Sequence, residues 1–287
     1  MLIRILDYFF LLRPTLFFTG ITIYLLAVFP AVPAVQYVLA IVVFQAVIYL
    51  YNQLYDIETD KLNNKLFFLA DNIIGYHSAL LFYRILLVML FILLSFTNGY
   101  FFITISVAVV LLNYCYSHPR LNWKGKPYLS SISAFLGGSL GYLSGYFTVQ
   151  QDFNLVLLLS MLPSGLAVLT AANLGMLLDY EGDRKSGKNT SAVHWSQQKF
   201  RVWILIVTIS GLIVSLYQSE LFFLISFMLT LLLQIFMTQK VDWQLKLPIL
   251  VLSLGVCWLY PSYAIVIGTY FLLAKWYYKK RFSLNYP

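Results

Sequence analysis

The sequence predicts an all-α fold, a polytopic bundle of transmembrane helices, and three observations carry that prediction. The 287-residue chain is 61% hydrophobic and only 10% charged. Its apolar stretches recur at roughly 17 to 25 residues, the length a helix rising ~1.5 Å per residue needs to cross a hydrocarbon core about 30 Å thick. The polar segments between those stretches are too short to bury a core of their own. One integral membrane domain spanning 1–287 follows.

Apolar runs punctuated by charge and turn residues place spans at 13–29, 34–55, 77–96, 99–116, 128–149, 153–178, 201–218 and 220–238. The last apolar region, 247–277, is too long for one straight span and contains Pro261. It reads as one kinked, tilted helix or as two short ones, for a total of nine or ten.

Orientation follows from the loops. The segments 56–76, 117–127 and 179–200 carry Lys61, Lys65, Arg120, Lys124, Lys126, Arg184, Lys185, Lys188 and Lys199, whereas the opposite turns at 30–33, 95–99, 150–152 and 218–220 carry no Lys or Arg. The positive-inside bias puts the three charged loops in the cytoplasm. The same bias explains the net charge of +8, so nucleic acid is excluded as a partner. Lys275, Lys279, Lys280 and Arg281 also favour the cytoplasm, and hence an even number of spans. The amino-terminal segment lacks the pattern of a cleaved signal peptide. Cys115 and Cys257 have no C-x-x-C partner and read as small hydrophobes.

Seven of the eleven acidic residues fall within 56–71 and 179–183. Asn52, Asp56 and Asp60 are spaced by four, as are Asp179 and Asp183, so each set forms one polar stripe at the end of a span. A single D-x-x-x-D at a membrane rim is most often a solvated helix terminus. Two such pairs facing a cavity offer hard oxygen ligands with positions left open, which suits Mg²⁺ shared with a substrate's phosphates. Lys65, Arg120, Lys124, Lys126, Arg184, Lys185 and Lys188 add cations at the same level. The pattern fits a substrate with a polyphosphate head and a lipid tail. The acidic loops follow the second and sixth spans, which suggests an internal repeat of about 1–127 and 128–287. His77, His118 and His194 match no metal spacing, and the stripe Gly137, Gly138, Gly141 and Gly145 reads as close helix packing. The 23 Phe and 22 Tyr residues read chiefly as lipid-facing or interfacial.

Three segments, Asn52-Gln-Leu-Tyr-Asp-Ile-Glu-Thr-Asp60, Tyr116-Ser-His-Pro-Arg-Leu-Asn-Trp-Lys-Gly-Lys-Pro127 and Asp179-Tyr-Glu-Gly-Asp-Arg-Lys-Ser-Gly-Lys-Asn-Thr190, resemble in order and spacing the signatures of the UbiA superfamily of intramembrane prenyltransferases. Arg13-Pro14 resembles that family's entry motif. The resemblance implies nine helices around a central cavity open towards the cytoplasm, and Mg²⁺ joining the aspartates to an isoprenoid diphosphate. It also implies transfer of the prenyl chain to an aromatic or other lipid-forming acceptor. On the same basis Asp56, Asp60, Asp179 and Asp183 are metal or diphosphate ligands, and Asn52 orients the first cluster. Arg13, Lys65, Tyr116, Lys124, Arg184 and Lys188 are expected to contact the diphosphate. The first motif is similar to the homogentisate-type branch, although that branch's Lys-Pro-x-Leu-Pro is replaced by Lys65-Leu-Phe-Phe-Leu-Ala70. Where many members carry Asn, four residues before Asp179, this chain has Gly175, and Asn173 lies about 120° away around the helix. Two other readings compete: a terpene cyclase with the same ionisation chemistry and no acceptor, and a cation transporter using intramembrane carboxylates.

Overall fold

The structure is a computed structural model that describes residues 2–62 and 67–284, all of whose regular elements are helical. In chain order these are α1 (Leu2–Leu11), α2 (Pro14–Val28), α3 (Val35–Leu62), α4 (Phe67–Ala70), α5 (Tyr76–Leu94), α6 (Gly99–Val109, continued as a π-helix over Val110–Ser117) and α7 (Leu129–Val149). There follow α8 (Leu155–Ser160), α9 (Leu162–Leu178), α10 (Tyr180–Lys185), α11 (Ser191–Trp195), α12 (Gln197–Tyr217), α13 (Leu221–Phe236), α14 (Val241–Leu259) and α15 (Pro261–Phe282). Among the described residues six helical runs are long and apolar enough to cross a membrane, and a seventh if the pair α1–α2, bent by 52°, is one span. On α5, Leu81, Ile85, Val88 and Ile92 share one face by their spacing and are 55–60% exposed. An apolar face of that kind is solvated by lipid, not water.

The bundle is built on α2, α7 and α9, which pack side by side, with α3 and α5 flanking one side and α12, α13 and α14 the other. Small residues permit the close approach. A Cβ at Gly138 on α7 would sit 2.6 Å from the Ser164 carbonyl oxygen of α9, and one at Gly145 would land on the Tyr24 carbonyl of α2. At these two positions the glycine stripe is the packing seam read from the sequence.

Chain reversals alternate between two ends. At one end Tyr260 donates to the Ala31 carbonyl (2.8 Å) and Asn98 donates to the Phe147 carbonyl (2.6 Å), which ties the motif-free turns together. The acidic and basic motif segments gather at the other end. The expected count of nine helices is not confirmed here. The region 247–277 does not form one kinked helix: α14 stops before Tyr260, whose backbone (φ −130°, ψ 86°) is out of the helical region that a following proline disfavours, and Pro261 opens α15. Among the described residues this gives ten long helices, counting α6 with its π-helix and α8–α9 as one each. Helix α15 returns its basic end to the motif end, where Arg281 Nε lies 3.3 Å from Asp7 of α1. The C-terminal charge signal, and not the family's helix number, matches this arrangement.

Two outcomes follow. A topology reporter fused after Tyr286 should report the same side of the membrane as one inserted at Arg120, and opposite sides would contradict the return of α15. Gly145→Ala should lower stability by about 1–3 kcal/mol through overpacking. Gly137→Ala should be close to neutral, because its nearest neighbour, Leu112, is 3.5 Å from the new Cβ. Thermal unfolding in detergent separates the two.

Candidate active site

Helix α3 runs unbroken through the first motif to Leu62, so Asn52, Asp56 and Asp60 do form one stripe. The π-helix ends at Ser117, and its wider turn (His118 N–H to Asn113 O, 2.9 Å) shifts the residues that follow it around the axis. Ser117 thereby meets Asn52, whose Nδ2 donates to its Oγ at 3.2 Å. The loop after it carries Lys124 on a single 3₁₀ turn, Trp123–Gly125. It is pinned to the second motif by Tyr128 N–H to Ser191 Oγ (3.0 Å) and by Trp195 Nε1 to Tyr128 Oη (3.0 Å).

In the second motif Asp179 ends α9, and the amide of Asp183 bonds its carbonyl at 2.9 Å, so the two carboxylates remain one turn apart. Gly187 takes φ +74°, a left-handed conformation open to glycine, and the chain turns so that Lys188 points back to the cavity.

These elements enclose a cavity of about 230 Å³ lined by Asn52, Asp56, Asp60, Tyr116, Lys124, Asp179, Asp183, Lys188, Thr190 and Arg13. Its remaining wall is Ala172, Gly175 and Met176 of α9. A pocket that swallows a whole small molecule is typically ~300–1,000 Å³, so this volume suits a polar head group. At its centre Asp56 Oδ1 accepts from Lys124 Nζ at 2.7 Å and from Lys188 Nζ at 3.0 Å. Burial pushes the Lys124 ammonium below the ordinary lysine range, and Asp56 offsets only part of that.

Of the ten sequence-expected site residues that the structure describes, all but one line this cavity. Arg184 does not: it is exposed on α10, one residue beyond Asp183, and the helix turns it outward. Lys65 lies outside the described residues. Asn173 is fully buried, accepts from Ser131 Oγ at 2.9 Å and is absent from the lining, in keeping with its angular offset. Sequence reading missed Ser117, Thr190 and Gln53. Gln53 donates to the Leu11 carbonyl at 2.6 Å and so grips the α1–α2 elbow beside Arg13, whose backbone is left-handed (φ 59°, ψ 55°). The only available signal was that Gln53, Ser117 and Thr190 each lie inside one of the three motif segments.

Among the described residues no three His, Cys, Asp or Glu side chains are grouped as a ready metal cage. Two carboxylate pairs on one polar cavity still suit Mg²⁺, which takes one or two protein carboxylates and leaves the rest of its shell to water and phosphate.

A profile of the UbiA prenyltransferase family matches residues 14–247. The chain belongs to that family. Solved UbiA structures share the fold. A UbiA homologue from Archaeoglobus fulgidus has a TM-score of 0.73 at 18% identity, covering 91% of this chain and 99% of its own. The same homologue bound to GPP and Mg2+ scores 0.70 at 17% identity, over 87% and 99%. A digeranylgeranylglyceryl phosphate synthase structure scores 0.61 at 19% identity, over 88% and 98%. No curated protein matches the chain.

Removing Asp56 from this UbiA chain strands two cations. Asp56→Ala should cost about 3 kcal/mol, the scale for breaking a buried ion pair from one side. The cost should shrink as pH rises. Lys124 in the folded variant binds its proton more weakly than in the unfolded chain, so between its folded and unfolded pKa values unfolding takes up protons and stability increases with pH. Chemical unfolding in detergent across the alkaline range measures this. A gap from wild type that widens with pH contradicts it.

Proposed function

We propose that this chain is an integral membrane enzyme that transfers an isoprenoid chain from its diphosphate to an aromatic or other lipid-forming acceptor, with Mg²⁺ as cofactor. The reading rests on one observation: four aspartates from two distant motifs share a cavity with three cations and an apolar wall. The A. fulgidus homologue bound to GPP and Mg2+, and to DMAPP and Mg2+, supports it.

In this reading Asp56, Asp60, Asp179 and Asp183 hold Mg²⁺, which when bound neutralises charge on the diphosphate. Arg13, Lys124 and Lys188 donate to the remaining phosphate oxygens, and the Tyr116 hydroxyl and Asn52 fix their orientation. As the allylic C1–O bond breaks, its electron pair moves to the diphosphate, and these donors are already aimed where charge grows. Ala172, Gly175 and Met176 border the carbon side, keeping water from the cation until the acceptor's electrons form the new bond and the acceptor loses a proton. The motif loops lie on the cytoplasmic side, consistent with their lysines and arginines. The protein is one membrane domain.

Purified protein given a prenyl diphosphate and Mg²⁺ should release diphosphate with an acceptor present. Asp56→Ala and Asp179→Ala should each lower that rate by at least about a hundredfold, and chelation should abolish it. Unchanged release in both variants refutes the enzyme. A cyclic hydrocarbon formed without acceptor would instead assign a cyclase.

A further inference from the structure

Helix α15 lies outside the residues matched by the family profile, 14–247, and no site residue sits on it. Three tyrosines at seven-residue intervals along it are nevertheless buried, at 6% (Tyr263), 7% (Tyr270) and 1% (Tyr277) exposure. Each spends its hydroxyl on α1–α2. Tyr263 lies 3.1 Å from Thr22 Oγ1, Tyr270 bonds Thr15 Oγ1, and Tyr277 donates to Asp7. The partners fall in reverse order, as an antiparallel ladder requires. Asp7, an acid buried to 4% in an apolar bundle, has its cation in Arg281 of the same helix.

The ladder brackets Arg13. Rung Thr15 follows it by two residues, and rung Asp7 precedes it by six. Phe10, just before the elbow, stacks on Tyr277 with centroids 4.2 Å apart and planes at 13°. Gln53 holds the Leu11 carbonyl from the α3 side. Arg13 itself is a non-glycine residue in the left-handed region, a conformation that persists only where the surroundings over-determine it. Between helices in lipid, apolar faces give no fixed register, and hydrogen bonds between them supply one.

We propose that α15 is a positioning element for catalysis: its Tyr270 and Tyr277 rungs set the α1–α2 elbow so that the Arg13 guanidinium stands in the diphosphate cavity. This rests on the reading of Arg13 as a diphosphate contact, and the experiment separates the two. Inorganic diphosphate with Mg²⁺ is titrated calorimetrically into the full chain in detergent. Tyr270→Phe and Tyr277→Phe should each weaken binding about three- to tenfold, the scale of one lost hydrogen bond. Tyr263→Phe, on the rung far from the elbow, should change it less than about twofold. In an Arg13→Ala background, itself weakened, Tyr270→Phe should add nothing, which a merely structural role would not produce. Thr15→Val breaks the same rung from the other helix and serves if Tyr270→Phe does not fold. Full affinity in both rung variants, or losses additive with Arg13→Ala, overturns the positioning role and leaves the diphosphate site standing. Unchanged affinity in Arg13→Ala overturns both the role and the assignment of Arg13. Absence of binding by the wild type overturns the proposed function itself.

Discussion

One carboxylate oxygen holds the motif end of this protein together. Asp56 Oδ1 takes a proton donor from Lys124 and another from Lys188, which joins α3 to two loops separated from it by 68 and 132 residues. Neither contact is a surface ornament, since the three side chains are 12%, 10% and 21% exposed. Ions withdrawn this far from water are costly unless paired, so the pairing is a condition on the whole arrangement. It requires α3 to continue past the apolar stretch to Leu62 and the chain to reverse at Gly187. It also requires the 3₁₀ turn at Trp123–Gly125 to face inward.

A second constraint is electrostatic balance in a small volume. Four aspartates stand against Arg13, Lys124 and Lys188 in the cavity lining. The excess is negative, so the cavity by itself does not attract a polyanion. A divalent cation bound by the carboxylates reverses that sign, which is the physical reason metal and diphosphate affinity belong together in such a site. The cavity's apolar wall on α9 includes the small residues Ala172 and Gly175 beside Met176, and a Cβ at Gly175 would meet nothing within 4 Å. The space beside the head-group site is thus left open at the point where a hydrocarbon chain would have to leave it.

Much of this was legible in the sequence, because in a membrane protein hydropathy and backbone satisfaction coincide: a spanning segment must be a helix, so apolar length reads directly as structure. The spans before residue 240 fall within a few residues of the helices found, except that α3 runs on to Leu62 instead of ending at 55. The four-residue spacing of Asn52, Asp56 and Asp60 also survived, because their helix does not end where the apolar run ends. Loops gave less. Nothing in the run Arg184, Lys185, Lys188 tells which cation turns inward, since that depends on a left-handed glycine and on where α10 stops. Long-range polar pairs gave least. Asp7 and Tyr277 lie 270 residues apart and belong to no local pattern, so neither α1 nor the separate α15 could be read from them.

The choice of lysine beside Asp56 bears on how the site accepts a ligand without exposing a bare charge. An ammonium carries three donors on one freely rotating point charge, and each lysine gives Asp56 only one. Among the described residues each ammonium keeps two further donors beside Asp56, so in the proposed reading a phosphate oxygen could be bound while the carboxylate stays paired. An arginine in the same place would commit a planar fork to the carboxylate and leave its other donors in fixed directions. Desolvation has already pushed Lys124 down from the ordinary lysine range. An anion bound beside it would act against that push, as Asp56 already does. In the proposed reading, the nitrogen atoms that pair with Asp56 are also those that would receive the diphosphate.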